Sequence, residues 1–299
     1  MEEKLVYTLD AVKPSMKLMD VIKSEMHVST RWIRQLKQKK LVLVNGYNIS
    51  MNAKLRVGDT IELPIPKEEN IFEPEDLKIQ VLYEDDHFIV VNKPPGMVVH
   101  PTKGHPFHTL ANGIAYHMQA QGDHYKIRFA HRLDRDTSGA LIVCKHGHSQ
   151  KWINDQMSEN SMVKGYLALV KGRVEPQAAT IDLPIAEPDE GQVHRYVSDH
   201  GARCISHYQV VDQFENHALV RVNLETGRTH QIRVHLSHLG YGILGDSLYG
   251  HEDGLTKRQC LHAKWLKFKN LKGDWVEIEA PLFEDMLKRI EEVKNNEVY

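Results

Sequence analysis

The stretch from His131 to Cys144 limits the fold of this chain more than any other. Its first half, His131-Arg132-Leu133-Asp134-Arg135-Asp136, crowds a histidine, two arginines and two aspartates together and cannot be core. Its second half, Ala140-Leu141-Ile142-Val143-Cys144, is a short apolar run of the kind an enclosed strand accepts. Thr137, Ser138 and Gly139 mark a turn between them, where glycine can take a conformation other residues resist. The expected arrangement is a polar loop feeding a rigid strand, a common way to hold chemistry in place. Asp134 stands between Arg132 and Arg135, and a nearby cation favours an ionised carboxylate. Such an aspartate can act as a nucleophile, as a base, or only as one half of a structural ion pair.

The pattern His-Arg-Leu-Asp, two variable residues, then Thr-Ser-Gly resembles the central signature of the pseudouridine synthases that modify large-subunit ribosomal RNA and transfer RNA. Every fixed position of that signature is met, and the resemblance implies that Asp134 is the catalytic aspartate. Asn92-Lys93-Pro94-Pro95-Gly96 followed by Val99-His100-Pro101 is similar to the start of the same family's catalytic domain. Lys164-Gly165-Tyr166-Leu167-Ala168 fits its Lys-x-Tyr-x-Ala strand, which implies that Tyr166 is the aromatic neighbour of the target base. By itself Tyr166 reads as a half-buried strand tyrosine with a satisfied hydroxyl. Gly227-Arg228-Thr229-His230-Gln231-Ile232-Arg233-Val234-His235 matches the later signature, and the resemblance implies that Arg233 pairs with Asp134. Thr229 is the expected cap of a helix there, with Ile232, Leu236 and Leu239 on one face before Gly240. Gly245-Asp246, Tyr249-Gly250 and Leu261-His262-Ala263 extend the likeness, which spans residues 80–285 in the family's order.

Upstream, residues 17–63 read as a unit of their own. Met16, Leu18, Met19, Val21 and Ile22 have helical spacing, and Ser29-Thr30 offers an N-cap to a second helix bearing Trp32, Ile33 and Leu36 inward. Arg31, Arg34, Lys37, Lys39 and Lys40 are left on its outer surface, as a solvated face or a phosphate-tracking one. Leu41-Val42-Leu43-Val44 then runs into Asn45-Gly46, a hairpin turn, and Leu55 to Leu63 supplies another strand. This order resembles the small RNA-binding domain named after ribosomal protein S-four. It departs at Gln38-Lys39-Lys40-Leu41, where the family carries a glycine-bearing turn. A proline-stiffened, acidic linker, with Pro64, Pro66, Glu68, Glu69 and Glu73-Pro74-Glu75, is expected to let the small domain move. The chain thus divides into an S-four-like domain (1–66), a linker (67–76) and a catalytic domain (77–299).

The expected fold class is α+β: a small αβ domain, then a mixed, mainly antiparallel sheet with a central cleft. Paired strands are expected over Ile79–Tyr83 and Phe88–Asn92, Met162–Val170, Ile205–Val211 and Ala218–Leu224, with a helix over Ser149–Asn160 and an exposed polar loop or hairpin from Pro184 to Ala202 that includes Asp189, Glu190 and Gly191. A net charge of -2 gives no global sign of nucleic-acid binding, so any basic face has to be local. The start Met1-Glu2-Glu3-Lys4 is no signal peptide, and no apolar run reaches a membrane span. Three widely spaced cysteines, Cys144, Cys204 and Cys260, read as reduced thiols, which suits the cytoplasm. His100, His105 and His108 lack metal-ligand spacing, so no metal is expected, and no phosphate loop or dinucleotide fingerprint suggests a cofactor.

The resemblance implies an enzyme that flips a uridine of ribosomal or transfer RNA out of its stack and re-joins base to ribose through carbon 5. Tyr166 would wall the pocket, Arg132 would fill the vacated stack, and the protein would act as a monomer. Two other readings stay open: an RNA-binding ribosome-assembly factor without catalysis, and a glycoside or phosphate hydrolase using Asp134 with Asp136.

Overall fold

The acidic, proline-rich segment divides a small unit with one apolar core from a larger body with several. A computed structural model describes residues 4–11, 16–66, 68–188, 192–250, 254 and 256–295. In the smaller core Leu18, Ile22, Trp32, Leu36, Ile61 and Leu63 pack together. The helices Leu18–Ser24 and Thr30–Lys39 lie on an antiparallel sheet in the order Lys4–Thr8, Thr60–Pro64, Leu43–Val44, Tyr47–Asn48. Ser29 caps the second helix as expected, its side chain accepting from the Trp32 N–H at 3.3 Å. Lys4–Thr8 has no counterpart in the sequence reading: it is a half-buried edge strand fixed only by its pairing with Thr60–Pro64. At the glycine-less junction Lys40 itself takes the left-handed conformation, with φ 51°. Asn45 and Gly46 also have positive φ, as a two-residue hairpin turn needs.

The acidic linker, expected to let the small domain move, is held to the body at several points. Glu68 pairs with Arg128, and the side chain of Asn112 donates to the Glu73 carbonyl at 2.8 Å. The Glu75 N–H donates to the Asn112 carbonyl at 3.1 Å. Asn112 belongs to a helix, Leu110–Gln121, that the sequence does not announce because it is buried on most sides and lacks a clear apolar stripe. Lys67, in the linker, and residues 189–191, in the expected exposed loop, lie outside the described residues, as do Met1, Glu2 and Glu3. The small domain also rests on the helix Gly147–Ser158. There the ring of His148 donates to the Met26 carbonyl at 2.6 Å, and His27 meets Asp155 at 3.1 Å.

The body is built on a ten-stranded sheet. Its main path runs Ala178–Asp182, Ile205–Gln213, His217–Leu224, Val163–Lys171, Leu261–Lys269, Ser138–Cys144, Phe88–Lys93, Gln80–Glu84. Among the described strands every pairing is antiparallel except that between Leu261–Lys269 and Ser138–Cys144, where only His262↔Ser138 and Ala263↔Gly139 face each other. This short parallel contact joins the two halves of the sheet, and the polar loop of the motif enters beside it. Gly139 permits the contact: φ is +115°, and a side chain there would begin 2.3 Å from the Ala263 carbonyl oxygen. No helix among the described residues is long and apolar enough to cross a membrane.

Candidate active site

Asp134 sits in a loop tied down from several directions. Leu133 is buried, and the Asp134 carbonyl accepts from the Thr137 N–H at 3.2 Å, closing the turn. The Arg258 guanidinium donates to the Asp136 carbonyl at 3.1 Å, and Ser138 meets His262 at 2.9 Å. The fully buried Lys93 inserts its ammonium among the carbonyls of Pro94, Met97 and Arg135, at 2.8, 2.9 and 2.9 Å. Burial draws its pKa down to about 7. The Lys-Pro-Pro-Gly segment is thereby stitched to the loop, a role that a spacing pattern cannot reveal.

Above the loop, the helix Gln231–His238 delivers Arg233. Its Nε and Nη2 clasp both oxygens of Asp246 at 2.7 and 2.8 Å, and Nη1 reaches Asp134 Oδ2 at 3.2 Å. Asp246 is wholly buried and also accepts from the N–H groups of Leu248 and Tyr249. Burial works to raise its pKa, but the hydrogen bonds and charge of Arg233 outweigh that and hold it below the ordinary value. For Arg233 burial pulls downward, and Asp246 and Asp134 reverse it, so the guanidinium stays firmly charged. Its guanidinium carbon lies over the Tyr249 ring, 5.1 Å from the centroid.

His230 completes the set, with Nε2 3.9 Å from Asp134 Oδ2 and Nδ1 2.9 Å from the Tyr249 hydroxyl. That hydroxyl also accepts from the Arg195 N–H at 2.9 Å, which fixes the ring beside His230. Burial lowers the His230 pKa, with Asp134 opposing. Tyr166, 7% exposed, lies within the field of Asp134: burial raises its phenol pKa and the Asp134 charge adds to the rise.

Asp134, Tyr166 and Arg233, three residues singled out in the sequence, therefore come together, whereas the arginines beside Asp134 in the chain do not serve it. Arg135 turns to Asp136, with Nη2 at 3.0 Å, and Arg132 is exposed. Neighbouring side chains diverge in a tight turn, so adjacency in sequence misleads there. Thr229 is not the cap of the helix: His230 precedes it with φ 60° and no capping side chain, and Gln231 instead receives the Arg228 N–H at 3.0 Å. Ile232 and Leu236 are buried as expected, but Leu239 is 38% exposed. Arg31, Arg34, Lys37, Lys39 and Lys40 all stand exposed on their helix. Arg31 and Lys39 also line a groove of about 780 Å³ against Arg128 and Lys151 of the body. Asp246, His230 and Tyr249 had no assigned role in the sequence; their signal was that His230 lies in the Gly227–His235 signature and that Gly245-Asp246 and Tyr249-Gly250 extend the likeness.

A family profile described as RNA pseudouridylate synthase matches residues 87–238. A Bacillus subtilis (strain 168) protein named as an uncharacterized RNA pseudouridine synthase, YlyB, is 38% identical over 85% of this chain and 86% of its own. Ribosomal large subunit pseudouridine synthase D of Haemophilus ducreyi is 34% identical over 87% of this chain and 85% of its own. The solved structure of human RNA pseudouridylate synthase domain containing 4 shares the fold, with a TM-score of 0.60 at 23% identity, over 72% of this chain and 93% of that one. Likeness of this extent means that the chain belongs to the RNA pseudouridine synthases, enzymes that isomerise uridine to pseudouridine in RNA.

Proposed function

We propose that Asp134 carries the isomerisation, acting on a uridine of structured RNA that has left its stack. The observation that supports this most is the Asp134 carboxylate itself: Oδ2 is held by Arg233 at 3.2 Å, and Oδ1 has no partner among the described residues. The reaction breaks the bond from ribose carbon 1′ to base nitrogen 1 and forms one from the same carbon to base carbon 5. The hydrogen on carbon 5 leaves as a proton and nitrogen 1 ends with one, so nothing is oxidised and no cofactor is required. Asp134 attacks as a nucleophile or removes the proton that opens a glycal route; both start from the same free oxygen.

Arg233, clamped by Asp246, fixes the carboxylate in place and in charge. Tyr166 forms the wall on which the base stacks, and the exposed Arg132 fills the gap left in the RNA stack. The cationic row from Arg31 to Lys40 follows the RNA backbone from the small domain, residues 1–66, across the segment 67–76 to the body, residues 77–299. Large-subunit ribosomal RNA is the favoured substrate, from the names of the full-length relatives, with transfer RNA the alternative. A soluble monomer acting in the cytoplasm without metal fits this chemistry.

The test is tritium release from transcripts labelled at uridine carbon 5, with Asp134→Asn beside the wild type. Release is expected from the wild type alone, with RNA affinity within about twofold between the two. Release by Asp134→Asn would remove the assignment. Tight binding without release by either, on free transcripts and assembled subunits alike, would favour a non-catalytic assembly factor.

A further inference from the structure

Lys164 is a buried cation that the chemistry above does not use. It lies two positions before Tyr166 on the strand Val163–Lys171, so both side chains leave the same face of the sheet. It is 8% exposed, and among the described residues its ammonium has no hydrogen-bond or ion-pair partner. The contrast with Lys93, whose ammonium meets three carbonyls, is plain. Burial alone pulls the Lys164 pKa down. A largely desolvated ammonium with no protein acceptor is ready to pair with an anion that reaches it.

Its surroundings say what can arrive. Nζ lies 3.7 Å from the point where a side chain on Gly227 would begin, and Gly227 is exposed. Nζ therefore lies next to an exposed stretch of the loop that leads into His230. On the other side the Lys164 charge reaches His131, at the head of the loop carrying Asp134, where burial first and that charge second hold the ring neutral. Arg228, the chain neighbour of Gly227, is exposed as well. A compact ammonium on a flexible stem suits a single phosphate oxygen rather than a planar, two-pronged partner. A nucleotide pulled out of its stack brings a phosphate on either side with it.

We propose that Lys164 binds a backbone phosphate of the substrate RNA beside the uridine that enters the site. This rests on the reading of Asp134, Tyr166 and Arg233 as the active site. The ammonium stays unpaired in the free enzyme and gains its counter-ion only when the flipped nucleotide is seated.

Lys164→Met and Lys164→Arg test it with a large-subunit ribosomal RNA transcript tritiated at uridine carbon 5, together with filter binding of that transcript across a salt series. For Lys164→Met, KM is expected to rise about tenfold with most of the loss of kcat/KM in KM. The slope of log affinity against log salt should fall by about 1. Lys164→Arg should restore most of both. Without RNA, Lys164→Met should melt at or above the wild type, because a largely desolvated charge with no protein partner is gone; a merely structural lysine would lower the melting temperature instead. An unchanged salt slope, or a loss confined to kcat, would overturn the proposal. Failure of the active-site reading shows separately, as absence of tritium release from the wild type, and the salt slope still decides on Lys164.

Discussion

Two sets of cations in this protein are held in opposite ways. Arg233 is buried and gripped by two carboxylates, with its guanidinium over the Tyr249 ring. Arg31, Arg34, Lys37, Lys39 and Lys40 stand on one helix in solvent. The difference follows from what each must do. On the proposed roles, a guanidinium that aims a reacting carboxylate has to be right within a fraction of an ångström, which suits the lock that Asp246 provides. Cations that follow a phosphate backbone need only supply field, and long exposed side chains do so while remaining adaptable. The comparison therefore predicts that the first set is sensitive to geometry and the second to salt.

The hardest test is Asp246→Ala. It leaves the Arg233 guanidinium buried with only Asp134, and breaking one side of such a pair costs about 3–5 kcal/mol. Turnover should fall by about a hundredfold or more, because Asp134 is no longer held in place. Urea denaturation followed in the body, together with tritium release, reads both. The Asp246 carboxyl titrates below its unfolded value of about 3.9, so its contribution is full above that pH and disappears as pH falls through the folded value. Acid unfolding of Asp246→Asn should accordingly be less steep than that of the wild type. If Asp246→Ala proved as mild as a surface change, the locked-versus-adaptable distinction would fail.

Against that, replacing Lys37, Lys39 and Lys40 together by glutamine should leave the body's stability alone. It should lower the slope of log RNA affinity against log salt by about 2–3, as expected for three lost phosphate contacts. Turnover at saturating RNA should stay near wild type. A fall in that turnover comparable to the Asp246→Ala effect would mean that the row has a geometric task after all.

What could be read in advance divides along similar lines. The strands and the motif loop were legible because apolar alternation and turn residues are local properties, and Asp134 could be found from its string alone. Asp246 was not, since its importance lies in a contact to Arg233 made across a turn and thirteen positions. Arg135 illustrates the reverse error: next to Asp134 in sequence, it belongs to Asp136 in space. Lys93 looked like part of a rigid proline loop, and only packing shows its ammonium crossing to the Arg135 carbonyl. The helix Leu110–Gln121 escaped because burial on most sides erases the periodicity by which helices are recognised. Lys4–Thr8 escaped because an edge strand is decided by its partner.

The smallest effect tests the boundary of the small domain's cationic helix. Lys40 holds φ at 51°, where a side chain is crowded and a glycine is not. Replacing it by glycine removes charge as well as strain, so Lys40→Gln is the proper reference: both lose the cation, and only glycine relieves the turn. The left-handed conformation costs an ordinary residue about 1–2 kcal/mol, and glycine's greater freedom in the unfolded chain takes back part of that gain. Lys40→Gly should therefore be the more stable of the two by about 0.5–1 kcal/mol in urea denaturation followed through Trp32, which lies in the small core. RNA affinity should be the same for both. Equal stabilities would mean that the bonds from the Asn48 side chain to the Lys40 and Val42 carbonyls, at 2.7 and 3.0 Å, hold the turn without strain. A gain for glycine, with equal RNA binding, would separate the shape of this helix end from the charge it carries, the same separation that Arg233 does not allow.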